Sequence, residues 1–313
     1  VGIMLWMKPE ENGVWEGEKT VEPGIGQVVL TLGDGESMPL KRDTNRLIFG
    51  GTMLQVRHER GTLAYSRIKS KEASEKIVYN TLTVPVRERF QLVLADGTKV
   101  FLNSGSEMRY PERFGKARRE VFLKGEAWFE VAKDSAREFW VHAGAMDVKV
   151  LGTSFNVKAY ERLETVATTL VEGSVEVACA GKSFQIVPGE QFVYDKNNRV
   201  MDVRMVDTES YVSWKDGYYK FRQTTLEEIM ETLSVWYGLN VFYVNESAKQ
   251  VEFTGKVRRY EDARMLLDKF EQTGDVVFDI KGNNVFITIK QKKPFAREWN
   301  SFLVKARGMV WQS

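Results

Sequence analysis

LKGEAWFEVA, residues 123–132, decides the fold of this chain. At a helical period, Glu126 and Glu130 would be neighbours on one face. At a strand period they share a face but stand about 13 Å apart, at about 3.3 Å per residue. Leu123, Ala127, Phe129 and Val131 alternate with Lys124, Glu126, Trp128 and Glu130, the pattern of a half-buried strand. Paired glycosidase carboxylates sit about 5–9.5 Å apart, so these two cannot share a substrate atom. They read as a solvated face, and replacing both by alanine should cost little stability. Trp128 lies on that same polar face and calls for cover, from another layer or from the C-terminal part of the chain, because a large exposed aromatic marks an interface.

The same alternation extends outward over residues 27–206, in QVVLTL, FQLVLA, KVFLN, FWVHA, DVKVLG, SVEVACA and QFVYD, with Asp-Gly, Pro-Gly and Glu-Gly turns between the runs. This is an all-β unit, a sandwich or a solenoid of short strands. QVVLTLGDGESMPL (27–40) repeats as RFQLVLADGTKVFL (89–102) at an offset of 62, with Leu30, Leu32, Asp34, Gly35 and Leu40 falling on Leu92, Leu94, Asp96, Gly97 and Leu102. Asp-Gly between alternating apolar runs predicts a hairpin in each copy.

Beyond residue 210 the period changes. TLEEIMETLSVWYG (225–238) places Leu226, Ile229, Met230 and Leu233 at helical spacing, with Thr224 or Thr225 as N-cap and Gly238 as stop. EDARMLLDKFEQTG (261–274) predicts a second helix, and NVFYV, EFTGKV, VVFDI and NVFITI predict strands. The expected fold is therefore β plus α+β, with a small βαββαββ unit in second place. The expected division is a linker or membrane-helix remnant at 1–20, an all-β unit at 21–208, the α+β unit at 209–290 and a basic aromatic tail at 291–313. VGIMLWM at the start reads either as the outer end of a membrane helix or as a first strand.

With 45 basic and 43 acidic side chains the net charge is +2, so no global field favours nucleic acid. The tail holds a net +4, through Lys292, Lys293, Arg297, Lys305 and Arg307 against Glu298. Its Trp299, Phe302, Leu303 and Ala306 share one helical face, suited to packing on its own unit or to a membrane surface or partner. One cysteine, Cys179, excludes an intrachain disulfide and any cysteine-rich metal site. It reads as a small buried hydrophobe rather than as a nucleophile with His142. AGKS (180–183) lacks the earlier glycine of a phosphate-binding loop and reads as a hairpin turn. His58 and His142, the two histidines, lie in strand-like runs, and no metal-ligand spacing occurs. No catalytic, cofactor-binding or metal residue emerges, and the expectation is a non-enzymatic binding protein without cofactors.

LADGTKVFLNSGSEMRYPERF, REVFLKGEAWFEVAKD, FWVHAGAMDVKVLGTSFNVKAY, TTLVEGSVEV and VPGEQ occur in the order and spacing of the FecR family of anti-sigma regulators, which the run from about 84 to 206 closely resembles. WKDGYYKF and LSVWYGLNVFY, within 214–290, resemble the unit that follows in Bacteroidetes members and the short N-terminal domain of secretins and TonB-dependent receptors. The tail after Lys290 has no counterpart in that resemblance. The resemblance implies the periplasmic part of an inner-membrane regulator. Such a part receives a signal from a TonB-dependent outer-membrane transporter and controls an extracytoplasmic-function sigma factor through a cytoplasmic segment. Exposed strand edges of the α+β unit are the expected docking places, with Val251 and Phe253 on one edge and Phe286 and Thr288 on the final hairpin.

Overall fold

The computed structural model describes residues 26–40, 46–49, 54–59, 62–67, 77–259, 262–273 and 275–290. The segment at 1–20, expected as a linker or membrane-helix remnant, and the tail at 291–313 lie outside the described residues, as do the placements expected for them.

The strand read from LKGEAWFEVA is longer than its quoted core, running Arg119–Glu130, and it is the hub of the β unit. Its first half belongs to one sheet, antiparallel to Ser106–Pro111 (Phe122 opposite Arg109) and parallel to Phe139–Ala143 (Val121 opposite Val141). Its second half belongs to another sheet, between Lys99–Leu102 (Phe129 opposite Val100) and Ser154–Ala159 (Phe129 opposite Phe155). The crossing falls at Gly125, whose φ of 103° lies in the left-handed region. A Cβ there would meet the Ser106 Cα at 2.7 Å, so glycine is required on both counts. The inner faces of the two sheets share one core, in which Leu30, Leu92, Val121, Phe129 and Phe155 are fully buried.

The internal repeat is structural. One copy is the hairpin Val28–Thr31 with Ser37–Leu40, the other Phe90–Val93 with Lys99–Leu102. Gly35 N donates to Leu32 O and Gly97 N to Leu94 O, both at 2.9 Å, and the two glycines have φ of 89° and 88°. Asp34 and Asp96 each accept from the backbone N–H two residues on, at 3.0 Å. Asp96 also meets the buried Arg119 of the hub strand at 2.8 Å, which ties the second turn to the start of that strand. AGKS is the expected hairpin turn, joining Val175–Cys179 to Lys182–Ile186 with positive φ at Ala180 and Gly181.

The α+β unit follows the expected order. Helix Leu226–Tyr237 is capped by the Thr225 hydroxyl, which accepts from Glu228 N at 3.3 Å, and is stopped by Gly238 in the left-handed conformation. The second helix is Ala263–Thr273. A short helix, Thr208–Val212, and a 3-10 turn, Ser213–Asp216, precede the first strand, and five residues are too few for a sequence period to reveal. Strands Tyr218–Thr225 and Glu252–Arg258 form one sheet; Asn240–Tyr243, Asn284–Ile289 and Val276–Lys281 form the other in that order. Both helices pack with both sheets around a single core.

This topology corrects the edge placement expected for Val251, Phe286 and Thr288. Phe286 and Thr288 lie on the middle strand of the three-stranded sheet, paired with Val276–Lys281 along its length and with Asn240–Tyr243 over 284–287. The hairpin looked terminal in sequence, but a parallel strand from earlier in the chain fills its outer side. Val251 is not an edge residue either: its N–H donates to Ala248 O at 3.2 Å and its carbonyl accepts from Leu226 N at 2.7 Å. Phe253 does lie on a strand with an open side, but its side chain is 8% exposed and belongs to the core.

Candidate functional site

Glu126, Trp128 and Glu130 share the outer face of the hub strand's second half, and the α+β unit covers that face. Trp128 is buried in the core of the α+β unit, with Trp214, Tyr219 and Leu233, and Phe101 and Val171 of the β unit pack against the same core. The expected cover for Trp128 is therefore the C-terminal unit. Glu126 departs from the expectation: it is not solvated but 8% exposed. Alternation along one strand shows which residues share a face; it carries no record of a second unit laid over that face.

A buried polar seam runs outward from Glu126. Its Oε2 accepts from Asn103 Nδ2 at 2.7 Å and its Oε1 from Asn156 Nδ2 at 2.9 Å. Asn156 Oδ1 accepts from the Trp214 indole N–H at 3.2 Å. Asn103 Oδ1 accepts from Ser104 N at 2.8 Å and from Arg259 Nη2 of the α+β unit. Arg259 is fully buried; its Nη1 donates to Trp214 O at 2.8 Å and its guanidinium lies 3.5 Å over the Trp236 ring. A cation from one unit and a carboxylate from the other are thus joined through one asparagine. Nearby, the Ser104 hydroxyl donates to Val235 O at 3.1 Å, and the Tyr160 hydroxyl donates to Ser104 O at 2.7 Å. Burial pushes the Tyr160 phenol well above its ordinary range, and the Glu126 carboxylate adds to the shift.

Beside the seam, a cleft of about 580 Å³ separates the outer face of the β unit from helix Leu226–Tyr237, with Glu126, Asn156, Gln191, Tyr211 and Phe221 among its walls. Lys158–Glu231 and Arg204–Glu228, both at 3.5 Å, bridge its rim. Glu130 is engaged apart from Glu126, accepting from the Trp128 indole at 3.2 Å and pairing with Lys99 at 3.8 Å. Four residues of one extended strand separate the two carboxylates, about 13 Å, which does not fit paired acid–base catalysis. Cys179 points into the β core, and burial raises its thiol. His142 stands on the outer face, 2.7 Å from Asp147, so the two do not meet as nucleophile and base. Among the described residues no three His, Cys, Asp or Glu side chains converge on a metal position. The geometry fastens two units together.

The sequence did not point to Asn103, Asn156, Trp214 or Arg259. Asn103 closes the alternating run KVFLN, and nothing in the sequence sets Arg259 apart from the other basic residues around it. The one usable signal was the tryptophan at a polar position of the hub strand.

Residues 80–176 match the family described as FecR protein, and residues 218–287 match FecR, C-terminal. Two crystal structures of a candidate anti-sigma factor from Parabacteroides distasonis, at 1.65 and 2.50 Å resolution, are similar to this chain. The first is 27% identical with a TM-score of 0.62, over 67% of this chain and 99% of that one. The second is 27% identical with a TM-score of 0.61, over 68% and 100%. No protein of curated function matches the chain. Both family matches and these structural neighbours agree: the chain belongs to the FecR family of anti-sigma regulators.

Proposed function

We propose that this chain is the periplasmic sensor and relay of an inner-membrane anti-sigma factor. Its α+β unit receives a signal from the signalling domain of a TonB-dependent outer-membrane transporter. A cytoplasmic segment, joined through a membrane helix, then controls an extracytoplasmic-function sigma factor. The observation that carries this reading is the combination of a buried seam with an open edge. Strand Glu252–Arg258 pairs with Tyr218–Thr225 on one side, and no described strand pairs with its other side. A partner strand added there gains main-chain hydrogen bonds. Because Arg259 follows that strand directly and anchors on Asn103 of the β unit, a force on the edge reaches both units.

The test is calorimetric titration of this chain with the signalling domain of its cognate TonB-dependent transporter, together with a sigma-dependent reporter in cells. Saturable binding, and a reporter response lost when the α+β unit is removed, is the expected result. Absence of binding to that domain, with an unchanged reporter, would overturn the reading.

A further inference from the structure

The open edge is charged, and its charge is aimed. Arg259 N donates to Gly217 O at 3.1 Å, which marks 217 and 259 as a hydrogen-bonded pair of the antiparallel ladder. Hydrogen-bonded and non-bonded pairs alternate, and Val257 and Gly255 pair with Tyr219 and Phe221. The backbone groups turned toward β-strand neighbours on the inside are therefore those of Val257 and Gly255, whereas Lys256 and Arg258 turn theirs to the open side. Lys220, opposite Lys256, follows the same rule: its N–H turns away from the ladder, to the Ser213 hydroxyl at 3.2 Å.

The two residues whose backbone is open are also exposed cations. They line an open groove of about 560 Å³ together with Arg89 of the β unit, Tyr218, Val257 and Asp216. Lys256 Nζ lies 3.5 Å over the Tyr218 ring centroid, which leaves a flat aromatic and apolar floor beneath the charge. The groove's single carboxylate, Asp216, is already paired with Lys215 at 3.0 Å. Arg89 donates one N–H to Lys215 O, which holds the guanidinium at the groove's rim from the β-unit side.

We propose that this edge and groove take an extended acidic segment of the transporter's signalling domain, added as a strand beside Glu252–Arg258 with its carboxylates at Lys256, Arg258 and Arg89. The inference rests on the docking reading above and adds the partner's chemistry and register. Main-chain bonds go to 256 and 258, and charge pairing selects the acidic strand over others. Since Arg89 comes from the β unit, the docked segment touches both units at once.

The experiment titrates the signalling domain against the full chain, its Lys256→Glu plus Arg258→Glu variant, and a control reversal at the distant exposed Lys182. Unaltered thermal midpoints show that the variants are folded. The expected result is binding at least about tenfold weaker in the double variant, unchanged in the control, and weakening with salt only where the cations are present. Lys256→Pro supplies a second reading: it removes an outward N–H without touching the inner ladder, so binding should fall with no change in fold. Binding by the native chain that is salt-insensitive and within about twofold in the reversed variant would overturn the acidic-strand proposal while leaving transporter docking intact. No binding by the native chain would overturn both. Loss of binding to phosphatidylglycerol vesicles in the double variant, with unaltered binding to the domain, would assign the groove to a lipid surface and overturn the proposal.

Discussion

Replacing Glu126 tests the seam. Both carboxylate oxygens are in use, and the two asparagines that reach them have no freedom to reverse. Asn103 needs its Oδ1 for Ser104 N and Arg259, and Asn156 needs its Oδ1 for the Trp214 indole. Alanine at 126 strands two buried amide donors and removes the carboxylate nearest Arg259 in the chain of bonds. Breaking a buried charged network by deleting one partner costs about 3–5 kcal/mol. At about 2 °C or more per kcal/mol in a protein of this size, the thermal midpoint should fall by at least about 6 °C. Glutamine is the sharper probe. It offers one acceptor where two are needed and sets its own NH₂ against an asparagine NH₂, so it should cost about 2–4 kcal/mol despite its matching shape. Urea unfolding of Glu126→Ala and Glu126→Gln beside the native chain measures both. If each lies within about 0.5 kcal/mol of the native chain, as a solvated glutamate would, the seam is not a structural fastening and the reasoning fails.

Trp128→Ala should destabilise by about 3–5 kcal/mol in the same urea experiment, since it empties an aromatic from the α+β core; a change under about 1 kcal/mol would contradict that packing. Arg259→Lys keeps the charge but loses the planar stack on Trp236 and one donor, and should cost about 2 kcal/mol or more; retention of native stability would show that charge alone matters there. Gly125→Ala should lower soluble yield and stability sharply, because the added methyl meets the Ser106 backbone; a crystal structure with an unmoved Ser106 would refute it. Burial raises the Tyr160 and Tyr219 phenols above the ordinary value near 10. In both, the folded state favours the neutral phenol. The stability this provides is complete below about pH 9 and is lost as pH rises past 10, where the unfolded chain ionises first. Urea midpoints at pH 8 to 11 should show that decline, and Tyr160→Phe plus Tyr219→Phe should flatten it.

How much was legible in the sequence depended on the range of the interaction. Alternation fixed the hub strand, the two Asp-Gly hairpins and the turn at Ala180–Gly181, because each is set by a few adjacent residues. Thr225 and Gly238 marked the ends of a helix for the same reason. The seam joins Asn103 to Arg259 across 156 positions of chain, and no local period encodes such a contact. The edge placement of Phe286 and Thr288 failed at the same point. Edge or centre is a property of the whole sheet, and strand Asn240–Tyr243, which covers the final hairpin, pairs with a strand 44 residues later. Trp128 was readable because a tryptophan at a polar position violates the strand's own alternation.

That tryptophan also bears on how freely such regulators can be recombined. The hydrophobic core of the α+β unit is completed by Trp128, with Phe101 and Val171 beside it, from another part of the chain. Cut away at its boundary, the unit would carry a hole where an indole belongs and a bare arginine where Asn103 stood. Chimeras that exchange receptor-facing units between relatives would therefore graft a plug without its socket. Exchanges that carry the matching residues of the hub strand and of positions 101–104 along with the unit should succeed where a clean swap at the domain boundary misfolds.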